Sequence, residues 1–208
     1  MTTEIQFDAA AHSYTIDGRQ VPSVTQVLEA VGLINYSHIP WGTRQMALDR
    51  GRAVHEAIAL DLEGDLDDES ADEAGILGYV EAARSARAAL GILVPIAHEE
   101  RVYHRQLDYA GTLDLRVDGL ILDWKTNQAE YWVRFQLAAY AAALSSMCLR
   151  SGQTHWSAGI VRRICVELHE DGTYRLMEIP AVDWKDDFQT FVAALRVWRE
   201  RTHRRDIR

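Results

Sequence analysis

A pair of strand-like runs around Asp118-Gly119 constrains the fold of this chain more than any other feature. Asp-Gly between alternating apolar residues is a strong signal for a two-residue hairpin turn. The register of such a hairpin places Leu115 opposite Leu122 and Asp114 opposite Asp123. The two-residue period of a strand predicts one side that faces the core and one that does not. The core side comprises Leu113, Leu115, Val117, Leu120, Leu122 and Trp124. The other side comprises Thr112, Asp114, Arg116, Ile121, Asp123 and Lys125.

The opposed carboxylates of Asp114 and Asp123 are the chemical signal in this hairpin. Two like charges that face each other across a sheet destabilise it unless something compensates. Protonation is one solution and neutralisation by Arg116 or Lys125 is another, but a hard cation with oxygen ligands is the most economical. We therefore predict a Mg²⁺ or Mn²⁺ site, with Lys125 placed to stabilise charge on a phosphoryl group. The alternative is a surface hairpin with an ordinary wet side.

The remaining elements are predicted from turn and helix signals. Two further Asp-Gly pairs, at 17–18 and 171–172, predict two more hairpins. Ser23 with Gln26 forms a capping-box pattern that opens a short helix up to Gly32. Apolar periodicity predicts further helices over 41–62, 74–90, 133–147 and 184–203, whereas the acidic segment 61–73 is interpreted as an exposed linker. This order of elements indicates an α/β or α+β layer structure.

Composition narrows the class of protein. With 208 residues and 48% apolar residues the chain is long enough for one domain with its own core. The N-terminus lacks a secretory pattern and no long uncharged apolar run occurs, so we expect a cytoplasmic protein with no membrane partner. The two cysteines, Cys148 and Cys165, are too few for an iron–sulfur cluster and are interpreted as reduced core residues.

The net charge of -9 argues against indiscriminate coating of nucleic acid, although a local basic surface would suffice for binding. Candidates for phosphate contacts are Arg134, Arg162, Arg163, Arg196, Arg199, Arg201, Arg204, Arg205 and Arg208. The C-terminal arginines among them could equally be a solvated helix end. Tyr131 and Trp132 are candidates for stacking on an unpaired base.

Three groups of residues together resemble the PD-(D/E)xK nuclease superfamily, in particular its RecB-like and phage exonuclease branch. They are Gly111-Thr112-Leu113-Asp114, Asp123-Trp124-Lys125 and Gln136-Leu137-Ala138-Ala139-Tyr140. The resemblance implies that Asp114 and Asp123 bind metal, that Lys125 is catalytic, and that Gln136 and Tyr140 contact the substrate strand or the lysine. Leu113-Asp114 replaces the proline-aspartate of the superfamily name, which is a tolerated variation.

The resemblance also implies two metal ligands upstream of the hairpin. Gly51-Arg52-Ala53-Val54-His55 looks like the helix that contributes a histidine to the metal site, although a lone histidine on a helix is more often packed or solvent-facing. An acid commonly precedes the Gly-x-x-Asp strand, and the pair Glu99-Glu100 looks like its counterpart. Spacing favours Glu99, with Glu100 as the alternative.

For the whole chain, the resemblance implies a restriction-endonuclease-like core with a central mixed β-sheet flanked by helices. Residues 1–208 would form a single nuclease domain: an N-terminal hairpin and helix over 1–40, a catalytic core over 41–150, and a hairpin with the C-terminal helix over 151–208. One or two Mg²⁺ or Mn²⁺ ions would be the cofactor, without an iron–sulfur cluster. Membership of the phage branch implies the cytoplasm of a bacterial host.

The function implied by the resemblance is a metal-dependent deoxyribonuclease, preferably an exonuclease in phage-type recombination, repair or DNA end processing. DNA is then the partner, possibly together with a single-strand annealing or recombination protein. Three alternatives stay open: a structure-selective endonuclease, a non-catalytic DNA- or protein-binding module with the nuclease fold, and a structural cation site in an interaction domain. Oligomeric state and cleavage polarity are not encoded in a recognisable pattern.

Overall fold

Two β-sheets and six α-helices make up the described part of the chain. The structure, a computed structural model, describes residues 4–8, 11, 13–150 and 161–206, with side chains left undescribed at 148–150 and 204–206. A first sheet has the order β1 (Ile5–Asp8), β2 (Ser13–Ile16), β3 (Arg19–Val21), and α1 (Val24–Ala30) follows it. The larger sheet has the order β4 (Ala97–His104), β5 (Tyr109–Val117), β6 (Leu120–Lys125), β7 (Arg162–Leu168), β8 (Tyr174–Ile179).

The five-stranded sheet is mixed, because β6 pairs with β7 in parallel and the other neighbours are antiparallel. Its two faces are covered by different helices. The remaining helices are α2 (Trp41–Glu63), α3 (Asp68–Glu73), α4 (Leu77–Ala89), α5 (Val133–Arg150) and α6 (Trp184–Asp206), the last preceded by a 3₁₀ turn at Ala181–Asp183. The predicted α/β architecture with a central mixed sheet and flanking helices is confirmed at this level.

Residue alternation along β6 shows how the layers are arranged. Leu120 and Leu122 pack in the core with α2 and α4, whereas Ile121 packs in the core with α1, α5 and α6. Successive strand residues point to opposite faces, so the sheet has a core on each side. The expectation that the Ile121 side lies outside the core is therefore wrong: Ile121 is fully buried under helices that the hairpin alone could not reveal.

Local signals locate most elements correctly. Two-residue turns at the first two Asp-Gly pairs join β2 to β3 and β5 to β6, and the register Leu115 opposite Leu122 is confirmed. The third Asp-Gly pair lies in a longer connection, because Leu168 pairs with Tyr174. Ser23 and Gln26 form the predicted capping box of α1. The connection at 61–73 contains α3, whose first turn is capped by the Asp67 carboxylate, so its interpretation as a linker was wrong.

Gly78 in α4 provides a test of this packing. A Cβ at Gly78 would lie 1.8 Å from the carbonyl oxygen of Glu170, in the turn between β7 and β8. In an exposed helix, replacing glycine by alanine stabilises by about 1 kcal/mol. Here we expect Gly78→Ala to lower the free energy of unfolding by about 1–3 kcal/mol, since the helix and turn must separate.

Urea denaturation of Gly78→Ala, with Gly42→Ala as the matched control, checks this prediction. Gly42 is also helical, but nothing lies within 4 Å of a Cβ built on it, so its replacement should be neutral or stabilising. Equal stability gains in the two variants would contradict the contact between α4 and the β7–β8 turn.

Candidate metal centre

The strand alternation of β5 is interrupted at Asp114. Leu113 packs in the core that includes α5, whereas Leu115, two residues away, packs in the opposite core with α2 and α4. A regular strand would place both on one face, as the sequence predicted. The register on β4 brackets Glu99, because His98 pairs with Leu115 and Glu100 with Leu113. Glu99 and Asp114 therefore lie opposite each other on β4 and β5, at the point where the regular strand geometry is interrupted.

The backbone of Glu99 is strained at this point, with a φ of 46° in the left-handed region. Non-glycine residues occupy this region at a cost of about 1–3 kcal/mol, and such strain often collects at functional sites. On its other side, β5 also stops pairing regularly with β6 near Asp114. The described pairs of β5 and β6 end at Leu115 opposite Leu122, and Asp114 Oδ2 instead accepts a hydrogen bond of 2.7 Å from the main-chain N–H of Trp124.

His55, Glu99 and Asp114 form a compact group of potential metal ligands. One donor atom from each residue lies within 4.8 Å of the other two. His55 Nδ1 is 3.6 Å from Asp114 Oδ1 and 3.8 Å from Glu99 Oε1. These donors, two carboxylates and an imidazole from three different elements, are of the type that divalent cations accept.

The second ring nitrogen of His55 is oriented by the hairpin. His55 Nε2 lies 3.2 Å from the carbonyl oxygen of Trp124, which can only accept a hydrogen bond. A neutral imidazole that donates from Nε2 leaves the lone pair of Nδ1 directed at the two carboxylates. Metal-ligating histidines are commonly oriented in this way by a main-chain carbonyl. The α2 helix thus brings His55 to the two carboxylates, and its role as a metal ligand, which the family resemblance implied, stays a prediction.

The geometry also distinguishes the two acids of the Glu99-Glu100 pair. Glu100 is held in a two-pronged ion pair by Arg116, with N···O distances of 2.6 and 2.9 Å. Glu99 lies instead with His55 and Asp114. Both carboxylate oxygens of Glu100 are therefore engaged by Arg116, whereas Glu99 offers an oxygen to the group. Glu99 is therefore the stronger candidate ligand.

Asp123 lies beside the group of three rather than within it. Its Oδ2 is 2.5 Å from Nζ of Lys125, and its side chain is only 3% exposed. Burial alone would lower the pKa of Lys125, but the charges of Asp123 and Asp114 outweigh it and raise the pKa. Lys125 is therefore protonated and positively charged beside the candidate metal centre. Its Nζ lies 5.4 Å from the centre of the Trp132 ring.

Gln136 and Tyr140 share one face of α5, as predicted, and both are buried. Gln136 Nε2 lies 3.1 Å from the Tyr140 hydroxyl. A Cβ at Gly111 would lie 2.4 Å from Cε1 of Tyr140, so glycine at this position allows the tyrosine to lie against β5. The charges of Asp123 and Asp114 contribute, after burial, to a pKa of Tyr140 well above the ordinary value, which places its hydroxyl in the field of the acids.

Several arginines proposed for phosphate contacts are engaged within the protein. Arg163 is fully buried and binds Asp187, and Arg134 binds Asp187 and Asp183. Arg162 forms an exposed ion pair with Glu178. Arg199 and Arg201 donate to the carbonyl oxygens of Leu107 and Ala30, and the side chains of Arg204, Arg205 and Arg208 lie outside the described residues. These internal partners could not be predicted from local sequence patterns, because each contact depends on how distant segments pack together.

One site-supporting residue was missed entirely. Glu167 on β7 is paired in register with Lys125, is buried, and accepts a 2.6 Å hydrogen bond from the N–H of Ala129. Arg175 binds the same carboxylate. Glu167 therefore fastens the connection between β6 and α5 beside the lysine. An acid that follows the apolar run Ile164–Val166 within a predicted hairpin strand was the signal that could have found it.

The protonation of the site predicts how it takes up a cation. Burial, reinforced by Asp123 and Glu99, raises the pKa of Asp114 even though His55 counteracts it. Burial opposes a charge on His55, but Asp114 and Glu99 outweigh it and raise its pKa. Both groups therefore hold protons more tightly than in water, and metal ligands must release them. Mg²⁺ or Mn²⁺ binding should release protons, and affinity should fall as pH falls.

Calorimetric titration with Mn²⁺ in two buffers of different ionisation enthalpy measures the protons released. We expect net release near neutral pH, retained in Glu100→Gln and diminished in His55→Ala. Binding without proton release, with an affinity independent of pH, would contradict the assignment of His55 and Asp114 as ligands.

No protein-family model matches the chain, and no curated protein matches it. Among the described residues, no helix is both long and apolar enough to cross a membrane.

Proposed function

We propose that this chain is a divalent-cation-dependent nuclease that hydrolyses DNA phosphodiester bonds. The observation that carries the proposal is the convergence of His55, Glu99 and Asp114 within 4.8 Å of one another, at the same edge of the sheet as the Asp123–Lys125 pair. A cation site beside a charged lysine suits chemistry in which negative charge develops on a phosphoryl group. We further propose that the five-stranded sheet and its helices form a restriction-endonuclease-like core.

Each residue of the site has a separate role in the proposed hydrolysis. His55, Glu99 and Asp114 would hold a cation, with the other carboxylate oxygen of Asp123 as a further ligand while Oδ2 stays paired with Lys125. A cation held there would supply positive charge to the phosphoryl oxygens and lower the pKa of an attacking water. Lys125 orients that water and stabilises the developing negative charge. Asp123 keeps the lysine charged and fixed, and no covalent intermediate on the protein is needed.

An exonuclease that processes DNA ends is the preferred subtype, with a structure-selective endonuclease second. Both follow from the family resemblance of the residue pattern. A non-catalytic binding module is less consistent with the site, because a binding surface would not need the strained Glu99 and the buried acids of the metal centre. A purely structural cation site would not need Lys125 at its edge.

Cleavage assays with three labelled DNA substrates test the proposal. Linear single-stranded DNA, linear double-stranded DNA and a closed circle are incubated with Mg²⁺, Mn²⁺ or EDTA. We expect metal-dependent loss of linear DNA, abolished in Asp123→Ala and Lys125→Ala, with the circle intact. Cutting of the circle would change the subtype to endonuclease. Measurable metal binding by folded protein without cleavage of any substrate would reject the nuclease.

A further inference from the structure

Tyr131 presents a large aromatic ring to solvent in the connection between β6 and α5. The residue is 71% exposed, unusually high for a tyrosine with ring contacts of its own. The guanidinium of Arg134 lies 5.0 Å from the ring centre, and the Phe135 ring meets it edge-on at 5.4 Å and 84°. These two contacts hold the ring from the side of α5 and leave most of its surface available.

The neighbours that hold Tyr131 are themselves fixed. The carboxylates of Asp183 and Asp187 bind Arg134 and hold its guanidinium in place. Earlier in the same connection, Asn127 Oδ1 accepts a 2.8 Å hydrogen bond from Arg50 of α2. The N–H of Ala129 is held by Glu167. The segment that carries the Tyr131 ring is therefore held by these contacts, and the ring loses little conformational freedom on binding.

Tyr131 immediately precedes a residue that contacts the lysine of the proposed reaction centre. The next residue, Trp132, is buried, and its ring lies 5.4 Å from the ammonium of Lys125. Tyr131 is thus joined by one peptide bond to the residue whose ring lies against the lysine. A single strand bound with a phosphate at Lys125 would pass the segment that carries this ring.

We propose that Tyr131 is a stacking platform for an unpaired nucleobase next to the scissile phosphate, which makes single-stranded DNA or a frayed end the substrate class. This inference rests on the proposed nuclease function. Every base has a π face, so a pre-fixed aromatic ring binds single strands without sequence preference. A base inside a duplex is already stacked and cannot offer that face to the ring. A protein partner on Tyr131 is the competing occupant.

Binding measurements separate stacking from catalysis. The dissociation constant of a single-stranded oligonucleotide is measured by fluorescence anisotropy with Ca²⁺ in place of Mg²⁺, for the wild type, Tyr131→Ala, Tyr131→Phe and Tyr131→Trp. The same series is repeated with an oligonucleotide of equal length in which all sugars are abasic. We expect Tyr131→Ala to weaken binding about tenfold on the normal strand, with phenylalanine and tryptophan near wild type. On the abasic strand the four proteins should bind alike.

Equal affinity of Tyr131→Ala and the wild type for the normal strand would overturn the inference. So would a loss of the same size on the abasic strand, or no binding of either strand by the wild type. Cleavage by the wild type with Mg²⁺ is measured separately. Cleavage with Tyr131-independent binding rejects the stacking platform alone. Tyr131-dependent binding without cleavage rejects the nuclease and leaves Tyr131 as a base-binding residue without a scissile phosphate beside it. Thermal unfolding of each variant confirms that the exposed substitution leaves the fold intact.

Discussion

Asp114→Asn is expected to lower metal-dependent DNA cleavage by more than about a hundredfold, since even residues that only support a metal ligand contribute about 10–100-fold. The asparagine retains the shape of the side chain and an oxygen that can accept the hydrogen bond from the Trp124 N–H. It removes one negative charge from the group formed with His55 and Glu99. Steady-state rates on linear single-stranded DNA, at saturating Mg²⁺, measure the loss.

The stability of the same variant separates loss of chemistry from loss of fold. Because burial raises the folded-state pKa of Asp114 above its unfolded value, its ionisation opposes folding above that unfolded value, and most strongly once pH exceeds the folded-state pKa. At pH 8 in EDTA, Asp114→Asn should therefore unfold at a temperature no lower than the wild type. Glu100→Gln, which loses an ion pair with Arg116 outside the metal group, is the activity control. Full activity in Asp114→Asn would contradict the assignment of Asp114 as a metal ligand.

Asp187→Ala is expected to have the largest effect on stability, about 3–5 kcal/mol in the free energy of unfolding. Asp187 on α6 is 2% exposed and binds both Arg163 of β7 and Arg134 of α5. Arg163 is fully buried, so its charge would be left in the core without its carboxylate partner, and among the described residues only the carbonyl oxygens of Arg134 and Pro180 would accept its hydrogen bonds. Urea unfolding measures the change.

Two control variants test whether the loss of stability comes from the buried charge of Arg163. Glu178→Ala breaks the exposed ion pair with Arg162 and should change stability by less than about 1 kcal/mol. The double variant Arg163→Met/Asp187→Leu removes both buried charges and should recover most of the loss, because apolar side chains can replace a buried pair. Equal small effects of Asp187→Ala and Glu178→Ala would show that the buried network does not hold α6 to the sheet.

Local chemistry explains what the sequence could predict. The Asp118-Gly119 turn fixes its own register, and the Ser23 capping box fixes the start of α1, since both depend on residues within a few positions. Helical periodicity located α2 well enough to include His55. The register also predicted Asp114 opposite Asp123, but the described pairs of β5 and β6 end at Leu115 and Leu122, and Asp114 groups with His55 and Glu99 instead. His55 and Glu99 were proposed as ligands only through the family resemblance.

Tertiary packing explains what was missed. No local pattern shows that β5 reverses its alternation at Asp114 or that Glu99 takes a left-handed backbone, because both depend on how β4 and β5 pair. The burial of Ile121 required knowledge of the helices on that face. The acidic run that forms α3 was interpreted as a linker, although Arg84 of α4 neutralises Asp68 within it. Charge complementarity over a distance of many residues leaves no local signature.

The rate at which purified wild-type protein shortens end-labelled linear single-stranded DNA, measured against Mg²⁺ concentration, tests the central claim most directly. The predicted result is cleavage that rises to saturation with Mg²⁺, stops on addition of EDTA, and is absent from Asp114→Asn and Lys125→Ala prepared in the same way. Cleavage that persists in EDTA, or that is equal in both variants and the wild type, would show that the activity does not come from this site. A folded wild type that leaves the strand intact at every Mg²⁺ concentration would contradict the nuclease assignment itself.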